Sequence, residues 1–208
     1  MEDYLANFLQ EAITFFAIMD PIGISAVALS ILSPNITKTE INKVAYKTTY
    51  TIVISFFVVI IAGEFVLKVF GLDINSLKVM GGLVLLLMAL SMISGNIKVK
   101  SNDEDKLNEE LAIIPIAIPI VFGTGLFSTI IIFKHEADGF IDLASISIAY
   151  CLNAIIFYFI FKNSIHIKRY LGQTGQNVIT KLMGLIVGAL AIQFIISGVV
   201  TLAKSYLN

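Results

Sequence analysis

The chain has 208 residues, 57% of them hydrophobic and 14% charged, against about 25% charged in an ordinary soluble domain. That composition excludes a water-soluble globular fold and makes lipid the solvent for most of the chain. With 14 basic against 15 acidic residues and a net charge of -1, there is no basic surplus to neutralise phosphates, so nucleic acid is excluded as a partner.

Apolar runs of the length that crosses a bilayer, about 20 residues, fall near 8–32, 45–67, 77–97, 111–133, 140–162 and 180–203. They predict an all-α, polytopic membrane protein with six transmembrane helices. The first run lacks the positive region and small-residue cleavage pattern of a secretory signal, so it is expected to be retained. Near its middle stands Met19-Asp20-Pro21-Ile22-Gly23. An Asp at the centre of a span costs about 2.5–3.5 kcal/mol, so some local gain must offset it. Asp before Pro is a helix-start pattern: the carboxylate caps free N–H groups, and Pro fills the first helical position, where its missing donor costs nothing. The span is expected to break here, with a half-helix starting near Pro21 and carrying Gly23 and Ser25. Asp20 then either caps its own backbone at a kink or faces a cavity, where it holds an ammonium group, a proton or a cation.

Glu64 lies about a turn from the outer end of the second span and reads as interfacial. Gly81 in the third span and Gly184 in the sixth are expected to permit close helix packing. The charged stretch 98–110 then divides the chain into a first unit, 1–97, and a second, 111–208, of similar size. The fourth span mirrors the first: Pro115 and Pro119, followed by Gly123-Thr124-Gly125, weaken the helix at its middle. Thr124 or Ser128 is expected to cap its resumed half. Spans 1 and 4 are thus both expected to be broken at mid-membrane, with positive half-helix ends that suit a carboxylate. Asn153 in the fifth span and Gln193 in the sixth are the remaining deep polar groups. Each either bonds across helices or lines the cavity. Cys151 reads as a small packing residue.

The last spans of the two units align without gaps, matching Lys78, Met80, Gly81, Ser94 and Gly95 to Lys181, Met183, Gly184, Ser197 and Gly198. A unit of three helices, an odd number, re-enters from the opposite side when repeated. This predicts two inverted three-helix repeats, an arrangement used by transporters. Ten of the fourteen basic residues, among them Lys43, Lys100 and Arg169, fall on one side of the expected membrane, so that side is expected to be cytoplasmic and both termini outside.

Enzymatic constellations do not form. His135 and His166 follow spans that end on opposite sides, HExxH is absent, and the 123–128 segment lacks the Gly-x-Ser-x-Gly pattern. No metal site or cofactor is expected.

Four marks together resemble the MarC family, related to six-helix neutral amino acid transporters, over nearly the whole chain. They are Asp20-Pro21-Ile22-Gly23, Gly81-Gly82-Leu83 with the leucines that follow, Pro115 to Gly125, and Leu182-Met183-Gly184 with Gln193-Phe194. The chain departs from the family pattern at Ile24 and Ala26, where Asn and Pro are usual, and at Thr124, which replaces the Pro of Gly-Pro-Gly. The resemblance implies a multi-pass protein of the cytoplasmic membrane, some of whose relatives carry glycine and alanine. The resulting expectation is a secondary carrier of small neutral amino acids or similar solutes. It would be driven by a proton or sodium gradient, since no nucleotide-binding motif is present. Its partners are the bilayer, a small-molecule substrate and, with oligomeric state open, further copies of itself. A channel or a structural membrane protein without carrier activity is the alternative.

Overall fold

The computed structural model describes residues 2–32, 36–95, 116–118 and 121–207. Every regular element among them is helical. Among the described residues, five helices are long and apolar enough to cross a bilayer: Tyr4–Ser30, Lys38–Val69, Ile74–Ser94, Phe140–Lys162 and Ser164–Ser205. The 98–110 stretch lies outside the described residues, as do 111–115 and 119–120 of the expected fourth span.

Local chemistry sets most helix ends. Asp20 alone separates α1 (Glu2–Met19) from α2 (Pro21–Ile31). A capping box opens α3 (Lys38–Val69): Glu40 N donates to Thr37 Oγ1 at 3.2 Å, and Thr37 N donates to Glu40 Oε2 at 2.7 Å. Gly71, at φ 63, closes it. The Leu72 and Gly71 N–H groups reach back to the Leu67 and Lys68 carbonyls, the paired bonds of a Schellman stop. Asp73 caps α4 (Ile74–Ser94) through Asn75 N and Ser76 N. In the expected fourth span a π turn covers 116–118, and the Phe122 N–H donates to the Ala117 carbonyl at 2.8 Å before α5 (Thr124–Glu136) begins.

After α6 (Phe140–Lys162) the chain does not loop. Only Asn163 intervenes before α7 (Ser164–Leu207), which is broken in direction at Gly172 (φ 62, ψ 178). The polar stretch 163–179, between the fifth and sixth apolar runs, is therefore largely helical. Its Lys, Arg, Gln and Leu residues are good helix formers, and it holds no Pro.

The helices pack through small residues, as membrane helices do when no hydrophobic drive pulls them together. The most extensive contact joins α4 and α7, which run antiparallel. Gly82 sits against Ala191 and Ile195, Gly184 against Ala89 and Met92, and Gly198 against Asn75 and Lys78. Gly81 turns to a different neighbour, Ser128 of α5. Buried Tyr150 of α6 stacks on Phe56 at 4.2 Å and donates its hydroxyl to the Ile52 carbonyl at 3.1 Å, fixing α6 on α3.

One end of the bundle gathers the pairs Lys78–Glu136 (2.6 Å), Lys134–Glu64 (3.5 Å) and Ser145–Glu11 (2.7 Å). The other end gathers Tyr158–Asn42 (2.7 Å) and the approach of α2 to α7. Outward faces carry Ile61, Phe65, Leu87 and Ile148, a surface suited to hydrocarbon.

Candidate functional site

The break at Asp20 is confined to one residue. The Asp20 N–H still reaches the Phe16 carbonyl at 3.0 Å, and the Ile24 N–H reaches the Asp20 carbonyl at 2.9 Å. Pro21, lacking an N–H, leaves the Ala17 carbonyl without its helical donor. Asp20 takes φ 35, ψ 64, the one positive φ of a non-glycine residue among the described residues. Asp tolerates that region because its short side chain bonds locally.

The Asp20 carboxylate is 2% exposed, accepts from the Gly23 N–H at 3.1 Å and faces Thr180 of α7 across Gly23. Gly23 makes this possible. A methyl group there would overlap the Asp20 carboxylate and come within 2.5 Å of Thr180 Oγ1. Ser25, fully buried, spends its hydroxyl on the Ile22 carbonyl at 2.8 Å.

From this point a cleft of about 190 Å³ runs between α2, α4 and α7, its polar lining supplied by Ser30, Gln173, Gln176, Asn177, Thr180 and the cationic Lys181. Sites for drug-sized ligands occupy about 300–1,000 Å³, so this one suits a solute of few heavy atoms. Gln176 is 2% exposed, and its amide nitrogen has no hydrogen-bond partner among the described residues. An unpaired buried donor costs about 1–3 kcal/mol. A larger cavity of about 280 Å³ lies at the opposite end of the bundle. Three of its carboxylates are already engaged: Glu136 with Lys78, Glu11 with Ser145, and Asp142 with the Asp138 N–H.

The second break is built differently. Gly123, not Thr124 or Ser128, is the N-cap of α5, and no side chain caps it. Thr124 is exposed, while Gly125 is buried against Leu85 of α4 and faces Ile18, two residues before Asp20. The two breaks thus lie beside one another. Ser128 is buried against Gly81. Pro119 lies outside the described residues.

The two deep amides part company. Asn153 Nδ2 donates to the Ala12 carbonyl at 3.0 Å and the Ala149 carbonyl at 2.9 Å, tying α6 to α1. Gln193 faces outward. Pro21 and Gly23 are therefore brought to Asp20, while Asn153 and Gln193 stand apart from it. The polar wall of α7 was not among the expected site residues. Its signal was the spacing of Gln173, Gln176, Asn177 and Thr180, which is i, i+3, i+4, i+7, a single helical face.

A family model described as "MarC family integral membrane protein" matches residues 5–203. The UPF0056 membrane protein YhcE of Escherichia coli (strain K12) is 31% identical over 201 residues, covering 94% of this chain and 93% of the relative. UPF0056 membrane protein PYRAB13050 of Pyrococcus abyssi is 32% identical over 200 residues, covering 96% and 97%. UPF0056 membrane protein PH0760 of Pyrococcus horikoshii is 34% identical over 186 residues, covering 88% and 90%. No solved structure matches the chain. Matched by the family model over nearly its whole length and related end to end to these proteins, the chain belongs to the MarC family of integral membrane proteins.

Proposed function

We propose that the chain is a secondary carrier of small neutral amino acids or similar small solutes, working by alternating access between two inverted three-helix repeats. The observation that carries this reading is a buried carboxylate at a helix break, packed behind Gly23 and Thr180, which line a small polar cleft inside a membrane span. A structural protein gains nothing from that arrangement, whereas a carrier needs a charged group at the depth where its substrate is held.

Six spans follow if the stretch ending in α5 is the fourth. The helix contacts come in matching pairs, which supports the repeat. α1 lies on α6 as α5 lies on α3, and α2 lies on α7 as α5 lies on α4. Aligning Lys78 with Lys181 maps the Gly82–Ala191 contact onto Leu185 and Met88. The contact of Gly184 with Ala89 falls one residue from that image. In this reading the lysine-rich end is cytoplasmic, both termini are outside, and the cleft faces inward in the cell membrane. An ion gradient, of protons or sodium, drives the cycle.

The test is uptake of labelled glycine and alanine into proteoliposomes, with proton and sodium gradients imposed separately. Saturable, stereoselective flux of alanine under one gradient is expected. Flux that rises linearly with concentration would point to a channel, and flux no greater than in empty vesicles would overturn the proposal.

A further inference from the structure

Among the described residues, Lys181 is the one charged group that lines the cleft, and no carboxylate lines it. The polar groups around it are neutral, among them the Ser30 hydroxyl of α2 and the Gln173 and Asn177 amides of α7. Gln173, Asn177 and Lys181 are spaced i, i+4, i+8 and share one face of their helix.

The aligned lysine of the first unit shows what such a residue does when a carboxylate is at hand. Lys78, matched to Lys181 in the gapless alignment of the last spans, is buried and holds Glu136 at 2.6 Å. Glu136 is the last residue of α5, the half-helix that lies on α4. The half-helix that lies on α7 is α2, which ends at Ile31. It brings no acid, because the sequence holds no Asp or Glu between Asp20 and Glu40. Lys181 accordingly makes no ion pair among the described residues.

A lysine ammonium set among neutral groups beside a cavity suits an anion. Charge-assisted hydrogen bonds to a carboxylate are about twice as strong as neutral ones, and a cleft of about 190 Å³ admits a solute of few heavy atoms. A small carboxylate entering it meets at Lys181 what Glu136 meets at Lys78. A simple amine meets a like charge, with no acid in the lining to offset it.

We infer that Lys181 receives the carboxylate of the substrate, so that the cleft takes small carboxylate-bearing solutes, amino acids among them, and rejects simple amines. This rests on the carrier reading and adds to it the group that recognises the acid end of the substrate.

The experiment is isothermal titration of the purified full-length protein with alanine, glycine and alaninamide, for wild type, Lys181→Met, Lys181→Gln, Lys181→Arg and Lys168→Met. Alaninamide keeps the amine and replaces the carboxylate by a neutral amide. Wild type is expected to bind alanine, and alaninamide about tenfold or more weakly. Lys181→Met removes the charge of an exposed, unpaired residue, so its ligand-free melting temperature should match that of wild type. Its alanine affinity should fall by about tenfold or more, the worth of one hydrogen bond to a charged group. Lys181→Gln should lose as much, and it decides in place of the Met variant should that one fail to fold. Lys181→Arg should keep most of the affinity, since a charge and donors persist. Lys168→Met, which removes an exposed cation outside the cleft lining, should keep all of it. Alanine affinity within about twofold of wild type in the Lys181 variants without charge, an equal loss in Lys168→Met, or alaninamide bound as tightly as alanine would overturn the role of Lys181 and leave the carrier reading standing. No binding of alanine or glycine by wild type would overturn both.

Discussion

Replacing Asp20 by Asn, Gly and Ala in turn separates three things that one side chain does at the break. Its backbone sits at φ 35, ψ 64, a region that costs an ordinary residue about 1–2 kcal/mol but is tolerated by Asn and Asp. Its Oδ1 caps the Gly23 N–H at 3.1 Å, and loss of such a cap to Ala costs about 1 kcal/mol. Asn keeps both properties and should unfold within about 0.5 kcal/mol of wild type, because it caps as well as Asp. Gly is at ease at positive φ and costs only about a few tenths of a kcal/mol as a cap. Ala loses the cap and adds the backbone penalty, for about 2–3 kcal/mol in all. Stability should therefore fall in the order Asp and Asn, then Gly, then Ala. Transport should follow a different order, because none of the three replacements carries a charge: flux is lost even in Asp20→Asn, whose fold is intact. The assay pairs thermal unfolding in detergent with amino acid flux in proteoliposomes, at equal folded protein and across pH. Full flux in Asp20→Asn with an unchanged pH profile would remove the carboxylate from the site. Asp20→Ala as stable as Asp20→Asn would refute the treatment of cap and backbone.

Three further outcomes follow from the structure. In a Cys151→Ala background, an impermeant thiol reagent applied to intact cells should label Ser205→Cys and spare Thr39→Cys; the reverse pattern overturns the orientation. Gly81→Ala places a methyl group 2.6 Å from Ser128 Cβ and should destabilise by about 1–3 kcal/mol through overpacking. Adding Ser128→Gly should recover most of that loss in thermal unfolding, and no recovery would mean that the contact is not where the cost arises. Gly172 occupies φ 62, ψ 178, a conformation essentially restricted to glycine, so Gly172→Ala should cost about 1–3 kcal/mol. A melting temperature equal to wild type would show that the bend in α7 tolerates a side chain.

The parts of the fold that depend on neighbouring residues were legible in the sequence. Asp20-Pro21 announced the break because capping is a local bond, here made to the Gly23 N–H. The left-handed backbone of Asp20 had no such signal. Asn153 and Gln193 looked alike, each a lone amide in an apolar span, yet one is buried between helices and the other faces outward. A helix apolar on every side does not declare which face is interior. Gly81 and Gly184 were both read as contact residues and both sit at helix contacts, but their neighbours, Ser128 and Ala89, could not be read from the repeat. Gln176 was missed because it falls in the polar stretch between the fifth and sixth apolar runs, and Thr180 because it stands at the very start of the sixth. Their role depends on the approach of α2, which is not encoded nearby.

The bend at Gly172 gives α7 the form of a rod with a short crosspiece, residues 164–171, which carries exposed Lys168 and Arg169. A rod of this kind resists sliding along its own axis. Drawing the crosspiece into hydrocarbon would bring both cations with it, at about 2.5–3.5 kcal/mol each at full depth. Tilting about the Gly82 and Gly184 contacts meets no comparable penalty, since the charged arm then stays at the boundary. On the carrier reading, a motion that closes the cleft would therefore be a rotation of α7 and not a piston-like travel along its axis.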